Sequence, residues 1–297
     1  MFHPSHHVPD LDDAEEFFAA VFGRSSTRLS TLSPAGPDHS TFTLIADVLF
    51  DSIDPRRYVV GGEQRYPSVE TAVLRGMGWY VEGIGSLHRS LRDHGFTVLD
   101  QLDRVAEGDE PPTAAGSTMP LCFTTPQDTG MRHELLPPIP FPLDPRLAEG
   151  WELPAVSDED PLGVVRCAHH TVLTRDPVRA LRLAVDVFGG AVVARGRDEV
   201  LGAEVTSVRL ADALLRYAVP GDPDAEPAPG GHDVYHSITW EVVDLDRVER
   251  HLGAHGVGVA VRTDEVVVTD PATSLGIPWG FVPAGVSGGP TPRRASR

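Results

Sequence analysis

FHPSHHVPDLDDAEEFFAAVFGR, residues 2–24, is the stretch whose reading decides the fold. Residues 2–8 read as a short β-type run, and Asp10, an acid able to cap a helix, then leads an amphipathic helix that stops at Phe-Gly. Side chains alternate across a strand, so His3, Ser5 and His7 share one face and His6 takes the other. The three imidazoles of this run are therefore not equivalent.

The same succession returns along the chain. LTRDPVRALRLAVDVFGGA at 173–191 repeats the capping acid, the helix and the Phe-Gly stop. SLHRSLRDHGFTVL at 86–99 and RVERHLGAHGVGVA at 247–260 form a second pair, each a helix closed by His-Gly and followed by a β-type stretch. Each helix is preceded by a strand candidate: residues 2–8, RGMGWYVEG, CAHHTVLT and VYHSITWEVV. Each is followed by further ones, among them TFTLIADVLFDSI, MPLCFTT, TSVRLADALLRYAV and EVVVTD. Strand, helix, then about three strands, four times over, predicts an α+β protein of two domains, residues 1–136 and 162–285. The proline-rich segment 137–161 reads as the linker between them, and the Gly, Pro and Arg-rich segment 286–297 as a disordered tail.

Composition narrows the function. At 297 residues with 41% hydrophobic content the chain can build a sizeable core. A net charge of −18, with every fixed cation an arginine, excludes a nucleic-acid backbone or an anionic membrane as the main partner. Two cysteines, Cys122 and Cys167, give neither a disulfide framework nor a CxxC motif. The first residues lack a secretory pattern and no apolar run approaches the ~20 residues of a membrane span, so the expected location is the cytoplasm. No phosphate loop, dinucleotide fingerprint or nucleophile elbow is present.

With the repeats in place, the sequence resembles the vicinal oxygen chelate superfamily of glyoxalases, bleomycin-resistance proteins and extradiol dioxygenases, in its two-domain form. HPSHHVPDLDDAEEFFAAVFG is similar to the family's opening strand and helix, and TPQDTGMRHELLP to its closing turn and Glu-bearing strand. The resemblance implies four βαβββ units, paired so that each domain's sheet curls around a bowl. It also implies metal ligands on the first and last strands of the paired units. Carried over by position, these are His3, seven residues before Asp10, Asp51 in IADVLFDSIDP, and Glu134, four residues after Gly130. The remaining position falls on Gly76, a departure from the family. One imidazole and two carboxylates suit a divalent Fe, Mn, Ni, Co, Zn or Mg ion with open coordination positions. Such a metal chelates neighbouring oxygens of a small-molecule substrate and stabilises an enolate or alkoxide. His7 and Tyr80 are then candidates for proton transfer alongside Glu134, whereas His6 is structural and His133, of opposite parity to Glu134, faces out. Gly76, Gly78 and Tyr80 share a strand face, which leaves the pocket room for a larger substrate.

The second domain departs further. Its counterparts are His169, Arg216, Ser237 beside His236, and Gly280, a set that argues against a metal. His169, His236 and Arg216 are secondary candidates for an organic-ligand pocket with Arg216 as an anion clamp, the bland alternative being a degenerate copy that supports the fold. Trp240 and Trp279 read as core. The predicted function is metal-dependent lyase or isomerase chemistry on an oxygen-rich small molecule, or ring-cleaving dioxygenation if the metal is iron. The alternatives are a metal-free drug- or metabolite-binding protein and a structural dimer. Edge strands and the resemblance leave room for a homodimer.

Overall fold

The computed structural model describes residues 1–32, 38–138, 144–221 and 232–285. The first unit comprises β1 (His3–His7), α1 (Leu11–Phe22), β2 (Ser26–Arg28), β3 (Ser40–Ile45) and β4 (Val48–Ile53). The second comprises β5 (Val73–Tyr80), α2 (Ile84–Asp93), β6 (Val98–Leu99), β7 (Cys122–Thr124) and β8 (Arg132–Leu136). Together they make one sheet in the order β2-β3-β4-β1-β5-β8-β7-β6. The third unit comprises β9 (Val164–Leu173), α3 (Pro177–Leu181), β10 (Ala191–Asp198), β11 (Ala203–Leu210) and β12 (Ala213–Pro220), with α3 running on as a π-helical stretch, Arg182–Val187. The fourth comprises β13 (Val234–Val242), α4 (Leu245–Ala254), β14 (Val259–Arg262), β15 (Val267–Thr269) and β16 (Trp279–Pro283). The second sheet repeats the first, in the order β10-β11-β12-β9-β13-β16-β15-β14. The expected α+β architecture of four βαβββ units paired in two domains is the one observed.

Local chemistry explains the boundaries. The Asp10 carboxylate accepts from the Asp12 backbone N–H at 2.7 Å and Gly23, at φ 65°, closes α1 in the left-handed conformation. Asp244 caps α4 in the same way. The His-Gly stops hold as read, with Gly95 at φ 78° after α2 and Gly256 at φ 73° after α4.

Within each sheet the two units meet along their opening strands. His3 pairs with Gly78 across β1 and β5, Ser5 pairs with Asp51 across β1 and β4, and Glu134 pairs with Gly78 across β8 and β5. In the second sheet His169 pairs with Thr239, Thr171 with Arg216, and Gly280 with Thr239. The two registers superimpose position for position, so His3, Asp51, Gly78 and Glu134 correspond to His169, Arg216, Thr239 and Gly280.

Side chains of opposite parity to these build one core shared by both domains. Phe18, Phe22 and Phe50 from the first half pack with Trp240, Trp279 and Phe281 from the second, Phe22 and Trp279 having ring centroids 5.0 Å apart. His6 belongs to the same layer, bonded to the Ser52 hydroxyl at 3.2 Å and to the Leu275 carbonyl at 3.3 Å. Each bowl therefore opens away from the other. Of the proline-rich segment, residues 137–138 and 144–161 are described: Arg146 donates to the Phe2 and Asp47 carbonyls, and Asp160 pairs with Arg24. The expected tail, residues 286–297, lies outside the described residues. Among the described residues no helix is long and apolar enough to cross a membrane.

Candidate functional site

β1, β4 and β8 bring His3, Asp51 and Glu134 to one wall of a cavity of about 460 Å³ in the first domain. His3 Nε2 lies 3.2 Å from Glu134 Oε2. Asp51 is buried, and among the described residues its Oδ1 has no hydrogen-bond partner, a costly state for a carboxylate oxygen. Burial, reinforced by the Glu134 charge, pushes the Asp51 carboxyl up to about 6. Burial works to lower the His3 pKa, but the Glu134 hydrogen bond and the charges of Asp51 and Glu134 outweigh it, and the imidazole is raised above its ordinary value. The site thus concentrates negative charge around one buried imidazole.

Among the described residues no three His, Cys, Asp or Glu side chains are already drawn together as a metal-binding group. The donor chemistry nevertheless fits a divalent ion. A buried carboxylate oxygen without a partner, a second carboxylate and an imidazole on one concave surface are the groups that such an ion satisfies. Gly76, the position the resemblance gives for a fourth ligand, pairs with Ser5, and Gly78, two residues further on and on the same face, pairs with His3; beyond Ser5 the pairing slips and leaves Arg75 unmatched. A Cβ on Gly78 would lie 2.5 Å from His3 Nε2, so glycine at this position is what lets the His3 ring lie across the neighbouring strand.

The other histidines separate as alternation requires. His7 shares the His3 face but lines a small adjoining recess, its ring 4.5 Å from that of Tyr66. Burial, with the nearby Arg75 charge adding to it, lowers its pKa to about 3. An imidazole so hard to protonate is poorly matched to proton transfer near neutral pH. Tyr80 lines the cavity, stacks on Phe2 at 4.4 Å and donates its hydroxyl to Asp144 at 3.3 Å. Burial and Asp144 raise its pKa, so the phenol keeps its proton. His133 turns away from the bowl, but it does not reach solvent: its Nδ1 accepts from the Trp79 indole at 3.0 Å within the core.

The segment between β4 and β5 supplies residues that sequence pattern did not single out. Tyr58 and Tyr66 both line the cavity, Tyr58 stacking on His39 at 4.0 Å and accepting from Gln101 at 2.9 Å. Arg132, two residues before Glu134 on the same face, lies 4.1 Å over the Phe123 ring and pairs with Asp103. The only sequence signal for the tyrosines was aromatic residues inside a Gly- and Pro-rich connection. Arg132 follows from Glu134 by parity alone.

In the second domain His169, His236 and Arg216 line one cavity of about 590 Å³. Arg216 Nη1 donates to His169 Nε2 at 3.1 Å and Nη2 to Asp198 at 2.7 Å. Ser237, the expected counterpart of Gly76, pairs with Thr171 as Gly76 pairs with Ser5, and Thr239 pairs with His169 as Gly78 pairs with His3. No carboxylate stands at the Glu134 position, which is Gly280.

No protein-family model and no curated protein matches the chain. Solved structures do. A triple mutant of 4-hydroxymandelate synthase from Streptomyces coelicolor matches 95% of this chain and 91% of its own, with a TM-score of 0.61 at 15% identity. The Mn(II)-bound glyoxalase from Novosphingobium aromaticivorans matches 95% of this chain and 80% of its own, with a TM-score of 0.59 at 13% identity. A 2,3-dioxygenase from Pseudomonas sp. KL28 matches 96% and 91%, with a TM-score of 0.58 at 12% identity. At these identities the likeness establishes the fold. The chain has the two-domain vicinal oxygen chelate fold, as the sequence resemblance implied.

Proposed function

We propose that the protein is a metal-dependent enzyme that carries out lyase or isomerase chemistry on an oxygen-rich small molecule in the N-terminal bowl. His3, Asp51 and Glu134 would hold the divalent ion. The observation that carries this reading is the buried, unpartnered Asp51 oxygen on the same wall as the His3–Glu134 pair. When bound, the ion supplies Lewis acidity toward adjacent substrate oxygens and stabilises negative charge that develops on them.

The rest falls to the chain itself. Phe2, Phe42, Tyr58 and Tyr66 wall the cavity and exclude water from the substrate. Glu134, with a side chain 25% exposed, is the acid at the edge of the bowl best placed to take and return a proton. Tyr80 serves as a wall, its phenol turned toward Asp144, and His7 stays neutral in the adjoining recess. Iron in the same place would make ring-cleaving dioxygenation the reaction. Glycine at position 76, where a fourth donor would stand, favours a second reading, a metal-free protein that binds a drug or metabolite.

Metal content of untagged protein separates the two. After exposure to Fe2+, Mn2+, Ni2+, Co2+ or Zn2+, the enzyme reading expects close to one ion per chain. It expects Glu134→Ala to lose the ion while Gly280→Ala keeps it. Wild type that holds none of these metals removes the basis of the enzyme reading.

A further inference from the structure

The bowl of the second domain has no part in the chemistry proposed above, yet it is as large as the first and polar at its floor. Arg216 there is fixed on two sides, by His169 Nε2 and by Asp198 Oδ2. An arginine only donates, so His169 Nε2 accepts and the ring proton sits on Nδ1. Burial and the Arg216 charge hold the His169 pKa well below its ordinary value, which keeps that ring neutral. Asp198 is also occupied on its other oxygen, which accepts the Val200 and Leu201 backbone N–H groups at 3.0 Å. Among the described residues two of its five guanidinium N–H donors are used, and the side chain, 21% exposed, lines the cavity. The floor therefore offers free N–H donors whose charge Asp198 already balances.

Two further groups face the same space. Gly280 makes room for the Thr239 hydroxyl, since a Cβ there would lie 2.5 Å from Thr239 Oγ1. His236 has a buried Nδ1 with no partner among the described residues. Leu201, Val266, Val268 and Val282 provide apolar wall. Asp198 already balances the Arg216 charge, and the exposed Asp264 and Glu265 line the same cavity, so these surroundings disfavour a carboxylate ligand.

We propose that this second bowl is a metal-independent binding site for an uncharged, oxygen-bearing organic molecule, with Arg216 and Thr239 donating to its carbonyl or hydroxyl oxygens. The ligand's hydrocarbon part lies against the valine wall. This site does not depend on the metal reading of the first domain, and either can fail without the other.

Three probes with one ring body test the proposal: 2-acetylnaphthalene, 2-naphthoate and 2-naphthylmethylamine, titrated into the full-length protein. The readout is the methyl resonances of Val266, Val268 and Val282, which line this cavity. The neutral ketone is expected to shift them saturably and at least ten-fold more tightly than either charged probe. Arg216→Met should weaken the ketone ten-fold or more, and Thr239→Val, which leaves the Arg216–Asp198 pair in place, should weaken it several-fold. Glu134→Ala should leave it unchanged. Tighter binding of the carboxylate or the amine overturns the proposal, as does unaltered ketone affinity in both variants or the absence of any shift.

Discussion

Gly78 shows how one missing side chain defines the site. His3 is buried and cannot swing aside, so the methyl group of Gly78→Ala would push its ring off the position facing Glu134. The expected outcome is a loss of metal affinity of at least ten-fold, with overpacking costing about 1–3 kcal/mol in a denaturant titration. Affinity equal to wild type would mean that His3 is not a ligand. The titrating groups give a second prediction. Asp51, at about 6, has a folded pKa above its ordinary 3.8. The metal-free fold therefore loses stability as pH rises from 3.8 to about 6 and does not recover it above. His3 acts in the same direction, because a raised imidazole contributes stability below its unfolded pKa that is lost as pH rises through the folded one. Asp51→Asn should accordingly raise the stability of metal-free protein at pH 7–8, by on the order of 1–3 kcal/mol, while abolishing metal retention. Metal affinity of wild type should fall below about pH 6, where protons compete for Asp51. A mutant destabilised at pH 8, or pH-independent metal binding, would contradict this account.

At the scale of the element, β1 is the informative strand. Its alternation sets His3 toward the bowl and His6 toward the interdomain core, where it bonds Ser52 and the Leu275 carbonyl. His6→Ala should leave metal affinity within two-fold of wild type and cost about 1–3 kcal/mol through the partners left unsatisfied. His3→Ala should do the reverse to metal binding, and parallel metal loss in both variants would refute the face assignment. That alternation was legible in the sequence because it depends only on the period of a strand. So were the capping aspartates and the His-Gly stops, which act within a few residues of where they stand. The register across β1 and β5 was not legible: that Gly78 lies opposite His3, and that the pairing slips beside Arg75, follows only from the closed sheet. Tyr58 and Tyr66 were hidden for another reason: the connection that carries them has no periodicity, and only the closed sheet shows what it covers.

Across the whole molecule, the two sheets are held by a common aromatic core. Trp240 and Trp279 were legible as core residues, but that they join the domains follows only from contacts such as Phe22–Trp279 and Phe50–Trp279, whose ring centroids lie 5.0 and 5.4 Å apart. Trp279→Ala should therefore cost about 3–5 kcal/mol and lower the unfolding midpoint of both halves together. Residues 1–136 expressed alone should aggregate or remain loosely packed. Independent unfolding of the two halves would contradict a shared core. The repeated register also explains why one fold carries two unlike bowls: at matched positions Asp51 gives way to Arg216 and Glu134 to Gly280, so the second bowl lacks both proposed ligand carboxylates, and Gly78 gives way to Thr239. The most direct test of the central claim locates the ion. In a Mn2+ titration of untagged protein followed by methyl NMR, the account predicts saturation near one ion per chain. Paramagnetic broadening should appear at Ile53, Leu121 and Leu136, which line the first bowl, and be absent at Val266, Val268 and Val282 in the second. Broadening confined to the second set, or no saturable broadening at either, would contradict it.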